Sequence, residues 1–363
     1  MVSFAREPLT EAQERWSLEI GGMRTLRMNR GRSPWNLVRS YASRVPLGVE
    51  RNRNPEMKKL IDTEVAEFQP DVVFVDGLVM AQYLPPVFPG VKLLHEHNAE
   101  HQLWERQAAE ENGARRPVVA REAARVRRYE ASVIPQFDTV FAVSEEDRRA
   151  LRELGAEYNK LRVLPNIPDR ALLDRPSPRF ADTEPLILYF ATLSWQPNIE
   201  GILRLLKLPL AQIVKQVPEA RLLVAGKGAP DDLRKRVEST PNAEFVGEVN
   251  DPETLYQRAR VLVDASTTGG GTRLKILNAL ARGVPVVASS EAARGLDIVA
   301  GEHMVVARNE HMLIEAVVTL LQDPDRWRIQ SENGRALVRA KYVPETAFRE
   351  LDEVLARATA PGE

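Results

Sequence analysis

The residues best suited to chemistry stand together in Gly269-Gly270-Gly271-Thr272-Arg273-Leu274-Lys275. Three consecutive glycines let the backbone approach a ligand closely and take conformations closed to other residues. Such a loop ahead of a helix turns N–H groups and the positive end of the helix dipole toward whatever lies above it, and phosphate fits that field. Arg273 and Lys275 add two fixed cations in the first turn, where the dipole alone disfavours them. An anionic ligand on a polar rim accounts for that choice; the other reading is a tight strand-to-helix turn with two solvated basic residues. A second group is His95, His97 and His101, three of the five histidines in the chain. The His95-x-His97 spacing is open to a metal, but no cysteine stands nearby, and a polar loop is the better expectation. An acid/base or acceptor-binding role for His97 suits an imidazole that titrates near neutrality. A loop histidine that satisfies backbone groups is the alternative.

These residues need strands and helices to hold them. Residues 261–264 and 284–288 are short apolar runs rich in β-branched side chains, which read as buried parallel strands. Residues 273–282 are good helix formers ending at Gly283, a natural C-cap. Similar runs at 186–190, 221–225, 244–246 and 304–307 predict a parallel sheet of about six strands with right-handed crossovers. Ligands of such sheets sit beyond the strands' carboxyl ends. The loops expected there are 191–198 with Ser194 and Asn198, 226–228 with Lys227, and 247–250 with Val249. In the first half the strand runs are 71–75, 91–94, 139–143 and 162–164. Residues 2–5 and 23–28 give weaker strands, and the central opening strand and glycine loop of a doubly wound domain are not found. Residues 167–185, with Pro168, Pro176, Pro178 and Pro185, read as a linker. Phe348, Leu351 and Leu355 recur at helical spacing near the end.

The chain's 363 residues suffice for two α/β domains, and 44% hydrophobic with 28% charged residues is a globular composition. No apolar run approaches the roughly 18 residues of a membrane span, and no signal-peptide core opens the sequence. Zero cysteines excludes disulfides and thiolate chemistry and fits a cytoplasmic protein. A net charge of −1 gives no bias toward nucleic acid. Charge is nevertheless uneven. Residues 24–59 hold eight Arg and two Lys against Glu50 and Glu56, and residues 115–128 hold six Arg against Glu122. Arg121, Arg125 and Arg128 are spaced to share one helix face. That face is either solvated or meets anionic lipid head groups or a phosphorylated acceptor. The absence of G-x-x-x-x-G-K-[ST], G-x-S-x-G and G-x-G-x-x-G speaks against a P-loop NTPase, an α/β-hydrolase and an ordinary dinucleotide dehydrogenase.

Seven stretches together resemble the GT-B glycosyltransferases, specifically glycosyltransferase family 4. They are HEHNAE at 95–100, FDTVFAVSEEDRRAL at 137–151, VLPNIPD at 163–169, LYFATLSWQPNIEG at 188–201, LLVAGKG at 222–228, FVGEVNDPETLY at 245–256 and GGGTRLKILNALARGVPVVAS at 269–289. The resemblance implies two Rossmann-like domains facing across a cleft. Residues 1–168 would form the acceptor-side domain, lacking its first strand and helix and joined by a returning helix at about 345–363. Residues 169–344 would bind a nucleoside-diphosphate sugar. Implied donor contacts are Gly269, Gly270, Gly271, Thr272, Asn278, Ser194, Asn198, Lys227 and Val249. Arg273 and Lys275 would neutralise the leaving diphosphate, a role for which charge stabilisation is often the largest catalytic term. His97 would stand on the acceptor side near the reacting sugar. The implied reaction retains anomeric configuration, uses neither metal nor cofactor, and passes a hexosyl group to a sugar or lipid-linked acceptor in polysaccharide or glycolipid assembly. Two positions depart from the pattern: Gly270 and Asn278 stand where the family often carries glutamates. An amide accepts through one oxygen where a carboxylate has two. A binding or scaffolding protein on a degraded transferase fold, or an epimerase of the same fold, are the rival readings.

Overall fold

A computed structural model describes residues 1–5, 7–28, 33–267 and 273–359. The chain divides into two compact units: Met1–Ala142, Arg148–Arg162 and Glu353–Glu363 form one, Val143–Asp147 and Val163–Asp352 the other.

In the first unit, β1 (Val2–Ala5) and β2 (Arg24–Arg27) pair in parallel around α1 (Glu11–Glu19), which Thr10 and Gln13 start with a reciprocal capping box. Among the described residues this small βαβ motif forms a two-stranded sheet of its own. The main sheet runs in the order β3 (Val72–Asp76), β4 (Val91–Glu96), β5 (Thr139–Ala142), β6 (Leu161–Val163), so β3 is an edge among the described residues. α2 (Pro34–Ser43) begins with Ser33 as N-cap and Pro34 in the first turn. Behind the sheet lie the helices Glu100–Glu110 and Arg116–Val133. The first of these has no capping side chain of its own. Glu130, from the second, accepts the backbone N–H of Glu100 at 3.0 Å and of His101 at 2.8 Å, and bonds the His101 ring at 2.8 Å. His101 is thus a buried structural residue.

The second unit holds a six-stranded sheet in the order β12-β11-β10-β7-β8-β9. Its strands are β7 (Glu184–Phe190), β8 (Arg221–Ala225), β9 (Ala243–Gly247), β10 (Ala259–Asp264), β11 (Val286–Ser289) and β12 (Val305–Ala307), all parallel. Along β7, Ile187 and Tyr189 enter one core while Leu186 and Leu188 enter the other. Along β8, Leu222 and Val224 alternate with Leu223 and Ala225 in the same way. Burial on both faces is why these strands read as unbroken apolar runs. The strand order reverses between β7 and β10, which opens a crevice at their carboxyl ends.

The helix Leu274–Arg282 follows β10; it starts one residue later than its sequence suggests because Arg273 takes the N-cap position. Ile276, Leu277, Leu280 and Ala281 pack it on the sheet, and Gly283 ends it in the left-handed conformation at φ 85°. Residues 167–185 contain more order than a linker: Asp169 caps a helix, Arg170–Asp174, whose Leu172 and Leu173 are buried. Among the described residues no helix is long and apolar enough to cross a membrane.

Arg282 anchors the far end of the helix that carries Lys275. Its guanidinium meets the buried Glu253 carboxylate at 2.7 Å and donates to the Pro176 carbonyl at 2.6 Å. Removing one partner of a buried pair strands the other charge. Arg282→Leu should therefore lower the unfolding free energy by about 3 kcal/mol, near the low end of such losses because Arg175 lies 3.6 Å from the same carboxylate. Urea denaturation checks this; an unchanged midpoint would show that the pair contributes nothing.

Candidate functional site

The switch point of the second unit is built around Lys275. Its ammonium lies 2.8 Å from Asp264 Oδ2 and donates to Asn198 Oδ1 at 2.8 Å, with the Tyr189 ring 4.9 Å away. The Lys275 side chain is 13% exposed and that of Asp264 is fully buried. The other Asp264 oxygen accepts from the backbone and hydroxyl of Ser266 at 3.1 and 2.7 Å. Burial pulls the Lys275 pKa down, while the Asp264 charge and hydrogen bond oppose the fall. Burial pushes the Tyr189 hydroxyl well up, with the Asp264 charge adding to it. Gly201 makes room for that hydroxyl: a Cβ there would stand 2.4 Å from it. Lys275 is therefore not the freely solvated cation of a polar rim that its sequence context suggests. It is a desolvated ammonium in a buried ion pair.

Three of the predicted loops converge at this end of the sheet. Leu193 N–H donates to the Lys227 carbonyl at 2.8 Å, and Gly226 N–H to the Gly247 carbonyl at 2.7 Å. Gly226, at φ 138°, lies so near the Ala191 carbonyl that a Cβ would be 1.7 Å from its oxygen, so no larger residue fits. Ser194 and Lys227 are exposed on these loops, and Ser194 Oγ borders Gly228. Asn198 is held in place by donating to the Thr192 carbonyl at 2.9 Å. Val249 packs against the core, so what it can offer a ligand is its backbone. Arg273 donates to the Glu291 carbonyl at 3.1 Å. Asn278, one turn beyond Lys275, accepts the Asp169 N–H through its side-chain oxygen at 3.1 Å, so the atom best suited to a ribose hydroxyl is engaged by the chain. Gly269, Gly270, Gly271 and Thr272 lie outside the described residues.

The histidine group belongs to the first unit. Asp76 ends β3 and is the register partner of His95 on β4. Its Oδ1 lies 2.9 Å from His97 Nε2 and 3.2 Å from His95 Nδ1, and the two imidazoles meet edge to face with centroids 4.7 Å apart. Hydrogen bonds from His95 and His97 hold the Asp76 carboxyl well below the usual range, against the opposing effect of burial. The Asp76 hydrogen bond raises the His97 pKa, again against burial. The ligand atoms of the three residues lie within 4.8 Å of one another, so they are the group among the described residues that could hold a metal ion. Gly77, at φ 92°, takes a backbone conformation that favours glycine beside the His97 ring.

Neither Asp76 nor Asp264 is singled out by the sequence reading. The available signal is position: each is the last residue of a parallel strand, the edge at which ligands of α/β sheets gather.

The comparisons with known proteins agree with this architecture. Residues 2–167 match the family model described as glycosyl transferase 4-like domain, and residues 184–323 the one described as glycosyl transferases group 1. The structure is similar to sucrose-phosphate synthase from Thermosynechococcus elongatus, with a TM-score of 0.68, 20% identity, and 93% of this chain covering 84% of that one. It is also similar to Anabaena HepE in complex with UDP and glucose, with a TM-score of 0.65, 14% identity, and 92% covering 86%. A third is α,α-trehalose 6-phosphate synthase from Burkholderia multivorans, with a TM-score of 0.66, 10% identity, and 99% covering 98%. In sequence, 170 residues are 20% identical to an uncharacterized 44.6 kDa protein in the cps region of Klebsiella pneumoniae, and the match spans 45% of this chain and 44% of that protein. The fold is that of the GT-B proteins. Within that class, the chain belongs to the group 1 glycosyltransferases.

The Asp76–His97 pair gives a testable pH dependence. The raised His97 pKa contributes stability that is full below its unfolded value of 6.5 and is lost as pH rises through the folded value. The depressed Asp76 pKa contributes above 3.8 and is lost as pH falls through its folded value. Both contributions are complete between those limits. In Asp76→Asn the His97 pKa should move down toward 6.5. Titration of its ring protons by NMR measures this, and no movement would mean that Asp76 is not the cause.

Proposed function

We propose that this transferase moves a hexosyl group from a nucleoside-diphosphate sugar to a hydroxyl acceptor, with retention of anomeric configuration and without metal or cofactor. The observation that carries the reading is a desolvated lysine at the switch point of the sheet, at the start of a helix. An ammonium has three N–H bonds; Asn198 accepts one, and the Asp264 carboxylate faces the group as an ion pair at 2.8 Å. A phosphate oxygen would take a further N–H, and the Arg273 charge adds positive field beside it. Charge that builds on the departing diphosphate is then neutralised by groups fixed before the reaction. Donor and nucleotide belong to the second unit, with Ser194, Asn198 and Lys227 on its rim. A sugar or lipid-linked acceptor belongs to the first, where His97, whose pKa the Asp76 hydrogen bond raises, meets the incoming hydroxyl. HepE, solved with UDP and glucose, supports a nucleotide-sugar donor by likeness of fold. We place the reaction in polysaccharide or glycolipid assembly at the cytoplasmic face of an anionic membrane, on the strength of the basic clusters at 24–59 and 115–128.

A second reading is a binding or scaffolding protein that keeps the fold. It is favoured by the Asp264 pair on Lys275 and by the engaged oxygen of Asn278. A thermal-shift screen of uridine, guanosine and thymidine diphosphates and their sugars, followed by assay of sugar release, separates the two. Nucleotide binding without release from any donor selects the second.

Lys275→Met should lower turnover by roughly a hundred- to a thousand-fold. Because it leaves Asp264 buried without its cation, it should also destabilise the unit, and the double variant with Asp264→Asn should recover stability but not rate. An undiminished rate in a folded variant removes Lys275 from the mechanism.

A further inference from the structure

α2 is amphipathic in the reverse sense for a helix packed on a protein. Trp35, Leu37, Val38 and Tyr41 are exposed by 70, 48, 56 and 43%, while Ser40 is fully buried. At 100° per residue the four apolar side chains fall on one arc with Pro34 and Ala42, and Asn36, Ser40 and Ser43 fall opposite. The polar side is the one held by the fold. Arg125, from the helix Arg116–Val133, donates to the Ser40 carbonyl, the Ser40 hydroxyl and the Val45 carbonyl, each at 2.6 Å. Glu122 bonds Arg125 at 2.7 Å and accepts the Leu47 N–H at 2.5 Å. Arg125 is consequently buried structure rather than part of a solvated basic face.

Within residues 33–49 the charges are of one sign: the segment contains Arg39 and Arg44 and no acidic residue, and both arginines are exposed. Arg121, also exposed, lies over the Tyr41 ring at 5.4 Å, and exposed Val118 stands one turn before it. A second copy of this chain on the same face would set arginines against arginines. An anionic bilayer surface offers negative head groups at the rim and acyl chains beneath, and tryptophan and tyrosine favour that boundary.

We propose that α2 is the element by which this protein docks on an anionic membrane, lying in the interface with Trp35 and Val38 among the acyl chains and Arg39, Arg44 and Arg121 at the head groups. This rests on the membrane-associated part of the reading above and not on its transfer chemistry. The test is cosedimentation of the full chain with vesicles of equal parts phosphatidylglycerol and phosphatidylcholine. Trp35→Ser/Val38→Ser should bind roughly tenfold more weakly with an unchanged melting temperature, since both side chains are exposed. Phe68→Ser, at an exposed apolar residue outside α2, should bind like the parent. Brominated lipid should quench tryptophan fluorescence in the parent and less in Trp35→Phe. Equal binding of the double variant overturns the assignment of α2 while leaving membrane association standing. A parent that stays in the supernatant overturns both, without touching the transferase reading. A concentration-dependent dimer abolished by the double variant, with no lipid binding, identifies a second copy as the occupant and also overturns it.

Discussion

A lysine can sit almost out of water only if something nearby carries the opposite charge and satisfies its hydrogens. Lys275 meets that condition through Asp264 and Asn198, and each of those is itself fixed: Asp264 by Ser266, Asn198 by the Thr192 carbonyl. The arrangement exists because the strand order reverses between β7 and β10. β7 delivers Tyr189 and the loop with Asn198, β10 delivers Asp264, and the next helix delivers Lys275. Packing on both faces of the sheet makes these strand ends rigid, so the ammonium is positioned by the core and not by its own flexible stem.

The two units use a common device. Each has an aspartate as the last residue of a parallel strand, Asp264 on β10 and Asp76 on β3; Asp264 holds a lysine from the helix that follows its own strand, and Asp76 a histidine from the loop after the neighbouring strand. The outcomes differ with solvent. Asp264 is wholly buried, and its partner's protonated form is opposed by desolvation. Asp76 is exposed for 65% of its side chain, and the effect on His97 is a raised pKa. Burial outweighs the partner at Lys275, whereas the Asp76 hydrogen bond outweighs burial at His97.

Much of this was legible in residue order. The second sheet is readable because strands covered on both faces show as unbroken β-branched runs; Asn198 and Lys227 stand out on the loops that follow such runs, and Lys275 in the helical turn behind the glycine run. The aspartates did not, because a strand-terminal aspartate reads equally well as a turn or a helix cap. Arg125 looked solvated because its spacing with Arg121 and Arg128 is that of an exposed stripe. Only the fold brings the carbonyls of Ser40 and Val45 to its guanidinium. Asn278 looked free for the same reason, since its partner, the Asp169 backbone, is distant in sequence. The small βαβ motif at the start was faint because β1 and β2 are four residues each, with no position fully buried.

The borrowed cap supplied by Glu130 has one more implication. The turn that bears His97 ends in a helix whose first amides are tied to a side chain on another helix, and His101 bolts the two together from beneath. The imidazole at position 97 therefore inherits its bearing from the α-helical layer below as much as from the strand that precedes it. A shift of that layer would re-aim the imidazole while leaving every residue of the turn untouched.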